Sequence, residues 1–299
     1  MSAQQGPQPS EQTYKSLYDT QGFVVIPDLI PPAQFPELFA AAERATARTR
    51  EGAWPHRRTV GRQFPPFDES GTPDVWGVQH IMHPALGERA FAEWYTSDAL
   101  LRTACELMGC GKKELQMELF NMLVNPERAD FALRWHRDDV REDATEDEER
   151  EALGKWHYGV QWNTALLEDS CLFVVPGSHA VPRTPEQRTH SSTLAAPKDP
   201  MDMPGAIRVV LKPGETAFYN SNILHCATYS SSAPRLTLHA CIGCTRGGST
   251  RARNILQHGL AWMEGDEFRD SLNDQGKEML QRLLNMKKGT GNLGYALSN

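Results

Sequence analysis

The chain has 299 residues, of which 39% are hydrophobic, 23% charged and 8% aromatic, with a formal net charge of −7. That composition is that of a globular protein able to bury a full core as one domain, and it excludes a disordered or fibrous chain. The acidic balance gives no basic field to collect nucleic acid, and no run of about 18 or more apolar residues suggests a membrane span, so a small-molecule partner is expected; six cysteines with a single CxxC pair fit an intracellular, cytoplasmic protein with reduced thiols.

In chain order, residues 1–10 read as a loose tail, Tyr14–Gln21 as a short helix, and Gly22-Phe-Val-Val-Ile-Pro27 as an opening strand ended by proline. Pro31–Arg50 has two prolines near a helix start and apolar residues Phe35, Leu38, Phe39 and Ala42 at helical spacing. Trp54–Thr72 lacks a sustained period and reads as an irregular loop, whereas Leu86–Met108 resumes a helical pattern that Gly109 ends.

From Leu115 the texture changes to short apolar runs separated by Gly, Pro, Asn and Ser. They fall at Leu115–Val124, Phe131–Val140, Gly159–Leu167, Cys171–Val175, Ile207–Leu211, Thr216–Tyr219 and Arg235–Ile242. This spacing predicts an all-β sandwich or barrel with helices outside it. Arg141–Glu151 carries seven acids against two arginines and reads as a solvated loop or helix, with a flap over a site as the alternative; Pro182–Pro204 is a long polar loop open to the same two readings. Asp266–Leu284 has a helical pattern, and a frayed end follows Lys288. The whole of 1–299 reads as one domain, with residues 115–242 holding most of the β core.

The chemistry gathers at Trp135-His136-Arg137-Asp138. In a strand, residues two apart share a face, so His136 and Asp138 project together as an imidazole and a carboxylate. A third ligand is needed, and His225, just beyond a strand and a turn, is the best candidate. Two imidazoles and one carboxylate on one face of an octahedral ion leave three adjacent positions open, the arrangement of non-haem Fe(II) oxygenases. Those positions suit a bidentate 2-oxo acid and O₂.

Ten residues past His225 stands Arg235, opening an alternating run in which Leu236, Leu238, Ala240 and Ile242 share one face and Arg235, Thr237 and His239 the other. An arginine beginning a barrel strand needs a carboxylate to offset its desolvation, and the distal carboxylate of 2-oxoglutarate matches a guanidinium in bidentate geometry.

The sequence resembles the phytanoyl-CoA dioxygenase family of Fe(II)/2-oxoglutarate-dependent oxygenases. The resemblance runs from Gln21 to Ile242 and is carried by the shared order of Gly22–Pro27, His136-Arg-Asp138, Trp162, Cys171-Leu-Phe-Val-Val-Pro-Gly-Ser-His179, Lys212-Pro-Gly-Glu215, and His225 with Arg235. It implies a double-stranded β-helix (jelly-roll, cupin-like) core, iron held by His136, Asp138 and His225, and 2-oxoglutarate anchored by Arg235. It further implies oxidation, foremost hydroxylation, of a small organic molecule with release of succinate and CO₂. Family members often carry a serine two residues after the distal histidine and the arginine eleven after. Here Ala227 stands at the first position and the spacing is ten, so Thr228 is the expected hydroxyl, with Asn121 and Asn125 as further contacts to the 2-oxo acid; Asn125, before a proline, is open to a turn reading, and Trp162, on an alternating strand, reads either as core or as a contact to the co-substrate.

His179 reads as support for a loop beside the site, His239 as an interior histidine, and Trp76, Gln79, His80 and His83 as a cluster able to line a pocket. Cys241 and Cys244 form the one CxxC pair, better read as buried thiols than as a metal site. Asp138 speaks against a halogenase, because halogenases of the family replace the carboxylate with a small residue. Two other readings stay open: a non-enzymatic jelly-roll that binds metal or senses 2-oxoglutarate, and a cupin-type oxygenase that uses no 2-oxo acid. Arg57, Arg58 and Arg62 form a local basic cluster that an acyl-CoA phosphate could use, but a specialised metabolite or amino-acid derivative fits equally, and oligomeric state is not readable.

Overall fold

The computed structural model describes residues 13–61, 73–155, 158–256 and 259–290. The expected tail at 1–10, most of the expected frayed end, and Arg62 lie outside them.

Helix α1 (Tyr14–Gln21) starts where the Thr13 hydroxyl accepts from the Ser16 amide, and it stops at Gly22, whose φ of 78° places it in the left-handed region. Strand β1 (Phe23–Ile26) follows, then α2 (Phe35–Arg50), which buries Leu38, Ala41, Ala42, Ala45 and Thr49 along one stripe. Two short strands, β2 (Arg57–Thr59) and β3 (Val75–Val78), stand where the sequence reads as irregular loop or is unassigned. The long helical pattern that follows is two helices, α3 (Arg89–Tyr95) and α4 (Asp98–Met108), because the Ser97 hydroxyl caps a new helix start.

The β region comprises β4 (Leu115–Val124), β5 (Phe131–Ala132), β6 (Gly159–Ala165), β7 (Asp169–Val174), β8 (Ile207–Leu211), β9 (Thr216–Tyr219), β10 (His225–Tyr229) and β11 (Leu236–Cys244). Helix α5 (Glu146–Leu153) lies between β5 and β6, and α6 (Pro185–Ser191) between β7 and β8. After β11 come α7 (Ala252–Leu256), α8 (Asp266–Ser271) and α9 (Asp274–Gly289), the last two separated where the Asn273 side chain caps α9.

All strand pairs are antiparallel. Seven strands form one sheet in the order β1-β9-β6-β11-β4-β3-β2, and four form the other in the order β5-β10-β7-β8. The sheets face each other, since Ala165, Ala217 and Tyr219 of the larger pack with Leu172, Val174, Val209 and Leu211 of the smaller. This is the expected mainly β, jelly-roll arrangement.

Strand parity assigns the faces. On β4, Phe120, Met122 and Val124 join the core under the helices, while Leu119, Asn121 and Leu123 look into the space between the sheets. On β11, Leu236, Leu238 and Ala240 go to the helices and His239 to the interior. The sequence alternation over Arg235–Ile242 therefore reads out directly as outside and inside.

Candidate active site

The interior between the sheets holds a cavity of about 160 Å³. His136, Asp138 and His225 all open onto it. The expected strand Phe131–Val140 is regular only over Phe131–Ala132, yet His136 and His225 form an isolated antiparallel bridge in which each amide donates to the other's carbonyl, at 2.9 and 3.0 Å. The Asp138 amide donates to the Ser221 carbonyl at 2.9 Å, fixing the third residue to the turn that precedes β10.

Each imidazole is oriented by its own backbone. His136 Nδ1 lies 2.8 Å from the Arg134 carbonyl oxygen, and His225 Nδ1 lies 2.8 Å from that of Ile223. A carbonyl only accepts, so both Nδ1 atoms carry the proton and both Nε2 atoms present lone pairs. Burial, and then the facing His225, hold the His136 imidazole well below its usual range and therefore neutral. Asp138 Oδ1 sits 3.5 Å from His136 Nε2 and 3.8 Å from His225 Nε2, while Gln161 donates to its Oδ2 at 2.8 Å.

Ligand atoms about 2.1 Å from one ion and at right angles to each other stand about 3 Å apart; each histidine Nε2 is within an ångström of that spacing from Asp138 Oδ1, and the three ligand atoms all lie within 4.8 Å of one another. Among the described residues this is the only group of three or more His, Cys, Asp or Glu side chains placed to hold an ion. Cys241 and Cys244 are free thiols and form no such group.

Deeper in the same cavity lies Arg235, 4% exposed. Its Nε donates to Asp169 Oδ2 at 3.0 Å, and Thr237 donates to the same oxygen at 2.5 Å. Burial alone would raise the Asp169 carboxyl, but Arg235, the Thr237 hydroxyl and the Cys171 amide bring it below its ordinary range. The guanidinium also rests over the Tyr229 ring, 4.7 Å from its centroid. Both terminal nitrogens, Nη1 and Nη2, are buried without a hydrogen-bond partner. A cation fixed at one edge by Asp169, with its outer fork unsatisfied, fits a bidentate carboxylate.

The structure redistributes the other expected residues. Asn121 lines the cavity, with its Oδ1 accepting from the His80 amide at 3.0 Å. His239 is in the wall, hydrogen bonded to Asn163 at 2.9 Å, and burial first, then Arg58 and Arg235, push its imidazole down to about 3. Thr228 does not line the cavity: on β10, His225, Ala227 and Tyr229 share the inward face, and parity turns Thr228 away. Trp162 is also misplaced as a contact to the 2-oxo acid. Its neighbours Gln161 and Asn163 face the cavity, whereas Trp162 packs outward against Trp94, Tyr95 and Phe218. Asn125 is a tie between segments, accepting from the Arg235 amide at 3.2 Å and donating to the Pro126 carbonyl at 3.0 Å.

His179 packs on Gly22, where an added Cβ would come within 2.4 Å of the ring, and its Nε2 lies 3.1 Å from the Asp19 carbonyl oxygen. This contact explains both Gly22 and His179 as supports joining the chain start to the loop after β7. Trp76, Gln79, His80 and His83 do not line the cavity; His83 caps a 3-10 turn and Trp76 packs with Phe131 and Tyr229.

Sequence reasoning missed one large polar cluster. Arg137, between two of the triad residues, points away from the cavity and donates to the carbonyls of Ser178, Val181 and Asn222 and to Glu149. Glu149, fully buried on α5, also receives Arg183 and Arg188. The acidic segment is in large part a solvent-exposed helix, and Glu149 pins it to Arg137, which separates His136 from Asp138. Its one sequence signal is that Glu149 falls on the inward side of a helix capped by Thr145.

A double-stranded β-helix with two histidines and a carboxylate at its interior and an arginine deeper in the same cavity is the architecture of the Fe(II)/2-oxoglutarate-dependent oxygenases. The chain belongs to the phytanoyl-CoA dioxygenase (PhyH) family, whose sequence profile matches residues 18–237. No curated protein matches it by sequence search. Solved structures share the fold at low identity. AviO1 from Streptomyces viridochromogenes Tue57 is 16% identical with a TM-score of 0.56, over 77% of this chain and 93% of that one. EctD from S. alaskensis, solved with 2-oxoglutarate and 5-hydroxyectoine, is 16% identical with a TM-score of 0.54, over 78% and 76%. SnoN, a non-heme alpha-ketoglutarate-dependent epimerase from nogalamycin biosynthesis, is 21% identical with a TM-score of 0.52, over 78% and 80%.

Proposed function

We propose that His136, Asp138 and His225 hold one Fe(II), that Arg235 anchors the distal carboxylate of 2-oxoglutarate, and that the enzyme hydroxylates a small organic molecule within the cavity. When bound, iron with 2-oxoglutarate and O₂ supplies the oxidation, in which R–H, 2-oxoglutarate and O₂ become R–OH, succinate and CO₂. The chain's own residues set geometry and solvent access.

The backbone bridge between His136 and His225 fixes the two imidazoles side by side, and Gln161 holds one carboxylate oxygen of Asp138 while the other faces both imidazoles, where it would ligate an ion. Arg235, itself oriented by Asp169, would hold the distal carboxylate of the co-substrate in the cavity that the triad shares. Leu119, Leu123 and Leu133 give the cavity apolar walls that limit water. The observation that carries this reading is the pair of buried, unpartnered nitrogens on Arg235 in the cavity that the triad shares. A purely structural arginine would have them satisfied.

No helix among the described residues is long and apolar enough to cross a membrane, and all six cysteines are free. We place the protein in the cytoplasm on the strength of those thiols, which suit a reducing compartment.

The direct test is succinate release from purified protein supplied with Fe(II), 2-oxoglutarate and O₂, alone and with a metabolite panel. Turnover that requires both iron and 2-oxoglutarate supports the proposal. Oxidation of a panel compound without 2-oxoglutarate would instead establish a cupin-type oxygenase.

A further inference from the structure

A second buried arginine faces the cavity, and neither the triad nor the co-substrate anchor accounts for it. Arg58 lies on β2 at the edge of the larger sheet, in register with Gly77 of β3, which is in turn in register with Leu123 of β4. Its side chain runs inward over Gly77: a Cβ there would meet Arg58 Cβ and Cδ at 3.2 Å and Cγ at 3.3 Å. The missing side chain at Gly77 is therefore the space through which Arg58 enters the cavity. The guanidinium sits over the Trp76 ring, 5.4 Å from its centroid, and the residue is 7% exposed.

Among the described residues no salt bridge reaches Arg58, and its Nε is buried with no hydrogen-bond partner. A buried guanidinium without a counter-ion is costly unless a ligand supplies one. Arg58 lines the same cavity as Asp138, Tyr219, Tyr229 and His239, so it looks toward the space beside the triad rather than out to solvent.

Resting on the reading of the site given above, we infer that Arg58 is the anchor for a carboxylate on the primary substrate, which makes that substrate a small organic acid. The co-substrate does not need this group, because the two free nitrogens of Arg235 already match one carboxylate edge to edge. Fe(II), Asp138 and doubly charged 2-oxoglutarate together leave one net negative charge, while Arg235 and Asp169 cancel. Arg58 neutralises that excess, and an incoming carboxylate meets a cation instead of net repulsion. The apolar ring of Trp76 beneath the planar guanidinium supports it without supplying a competing acceptor.

The experiment uses the full chain loaded anaerobically with Fe(II) and 2-oxoglutarate, reading the metal-to-ligand charge-transfer absorption that forms when a 2-oxo acid chelates iron. A panel of amino, aliphatic and aromatic carboxylic acids is titrated beside the matching methyl esters. We expect some acids, and not their esters, to shift the band. In Arg58→Met, which keeps most of the stem on Gly77 and Trp76, those acids bind about tenfold or more weaker. The affinity for 2-oxoglutarate stays within about twofold, and Arg58→Lys partly restores acid binding. Gly77→Ala, which crowds the stem while keeping the charge, weakens the same acids.

Three results overturn the inference: esters that shift the wild-type band as well as acids do, no acid that shifts it at all, or an Arg58→Met variant that loses 2-oxoglutarate affinity instead. A wild-type protein that forms no band fails at the iron and co-substrate step, which separates failure of the site reading from failure of the Arg58 assignment.

Discussion

His136 and His225 face each other across a single antiparallel bridge, with reciprocal amide-to-carbonyl hydrogen bonds of 2.9 and 3.0 Å and imidazole centroids 4.2 Å apart. Two residues far apart in sequence thus become neighbours through backbone pairing, before any ion is considered. An ion bound there would have only to draw in side chains that are already aimed.

That preorganisation makes the carboxylate contacts decisive for affinity. Asp138→Ala is expected to lower Fe(II) affinity by more than about 100-fold, and Gln161→Ala, which frees one Asp138 oxygen, by about 10- to 100-fold. Equilibrium competition with a metal-binding dye measures both. Equal affinities in Gln161→Ala and wild type would remove Gln161 from this account.

Arg235→Leu should raise the 2-oxoglutarate concentration needed for half-saturation by roughly 100-fold, corresponding to about 3 kcal/mol for a lost charge-assisted pair. The same change leaves Asp169 buried beside Thr237 without its cation, so stability should fall as well. The double variant Arg235→Leu with Asp169→Asn should recover part of the stability and none of the co-substrate affinity. Denaturant titration and ligand titration on the same samples separate the two effects.

The fully buried Glu149 accepts from Arg137, Arg183 and the partly exposed Arg188 in a cluster behind the triad. Replacing it by Gln removes the one counter-charge of three cations. The expected cost is about 3–5 kcal/mol of stability, read as a lower midpoint in urea at unchanged slope. A change below about 0.5 kcal/mol would show the cluster to be solvated in solution.

His239 is held neutral, with burial as the main cause and Arg58 and Arg235 adding to it, so its folded pKa is about 3 against an ordinary value of 6.5. Between those values the unfolded chain binds a proton that the folded one does not. Stability from this group is therefore complete above pH 6.5 and is lost progressively as pH falls toward 3. The slope it adds is about 1.4 kcal/mol per pH unit, and His239→Gln should remove it. Urea midpoints at pH 7, 6 and 5 for both proteins measure the difference.

How much of this was legible in the sequence follows from what each pattern encodes. Period-two alternation over Arg235–Ile242 predicts that strand and its faces, whereas on β4 a register shift opposite Ala240 and Ile242 breaks the period, so that Met117 and Phe120 join the same core. His136, Asp138 and His225 are legible as residue types at a plausible spacing, and the family resemblance supplies their order. Where parity was not followed through, the reading failed. Thr228 and Trp162 sit one residue from inward-facing neighbours, and that single step sends them to the opposite face.

The remaining features depend on tertiary partners that no local pattern carries. β2 and β3 are three and four residues long and exist by pairing in turn with each other and with β4. Arg58 looks like a surface residue until Gly77 is placed beneath it, and Glu149 looks solvated in its run of acids until three arginines from distant segments converge on it. The breaks at Ser97 and Asn273 were available in sequence as capping residues inside apparently continuous helices.

The central claim is that three side chains hold one Fe(II) with room left for 2-oxoglutarate at Arg235. Anaerobic titration with Fe(II) and then 2-oxoglutarate tests it most directly. The account predicts one iron per chain and a visible charge-transfer band that requires both additions, is absent in Asp138→Ala, and needs far more 2-oxoglutarate in Arg235→Leu. A wild-type protein that binds iron but gives no such band at any 2-oxoglutarate concentration, or an Asp138→Ala variant that gives the band undiminished, would contradict it.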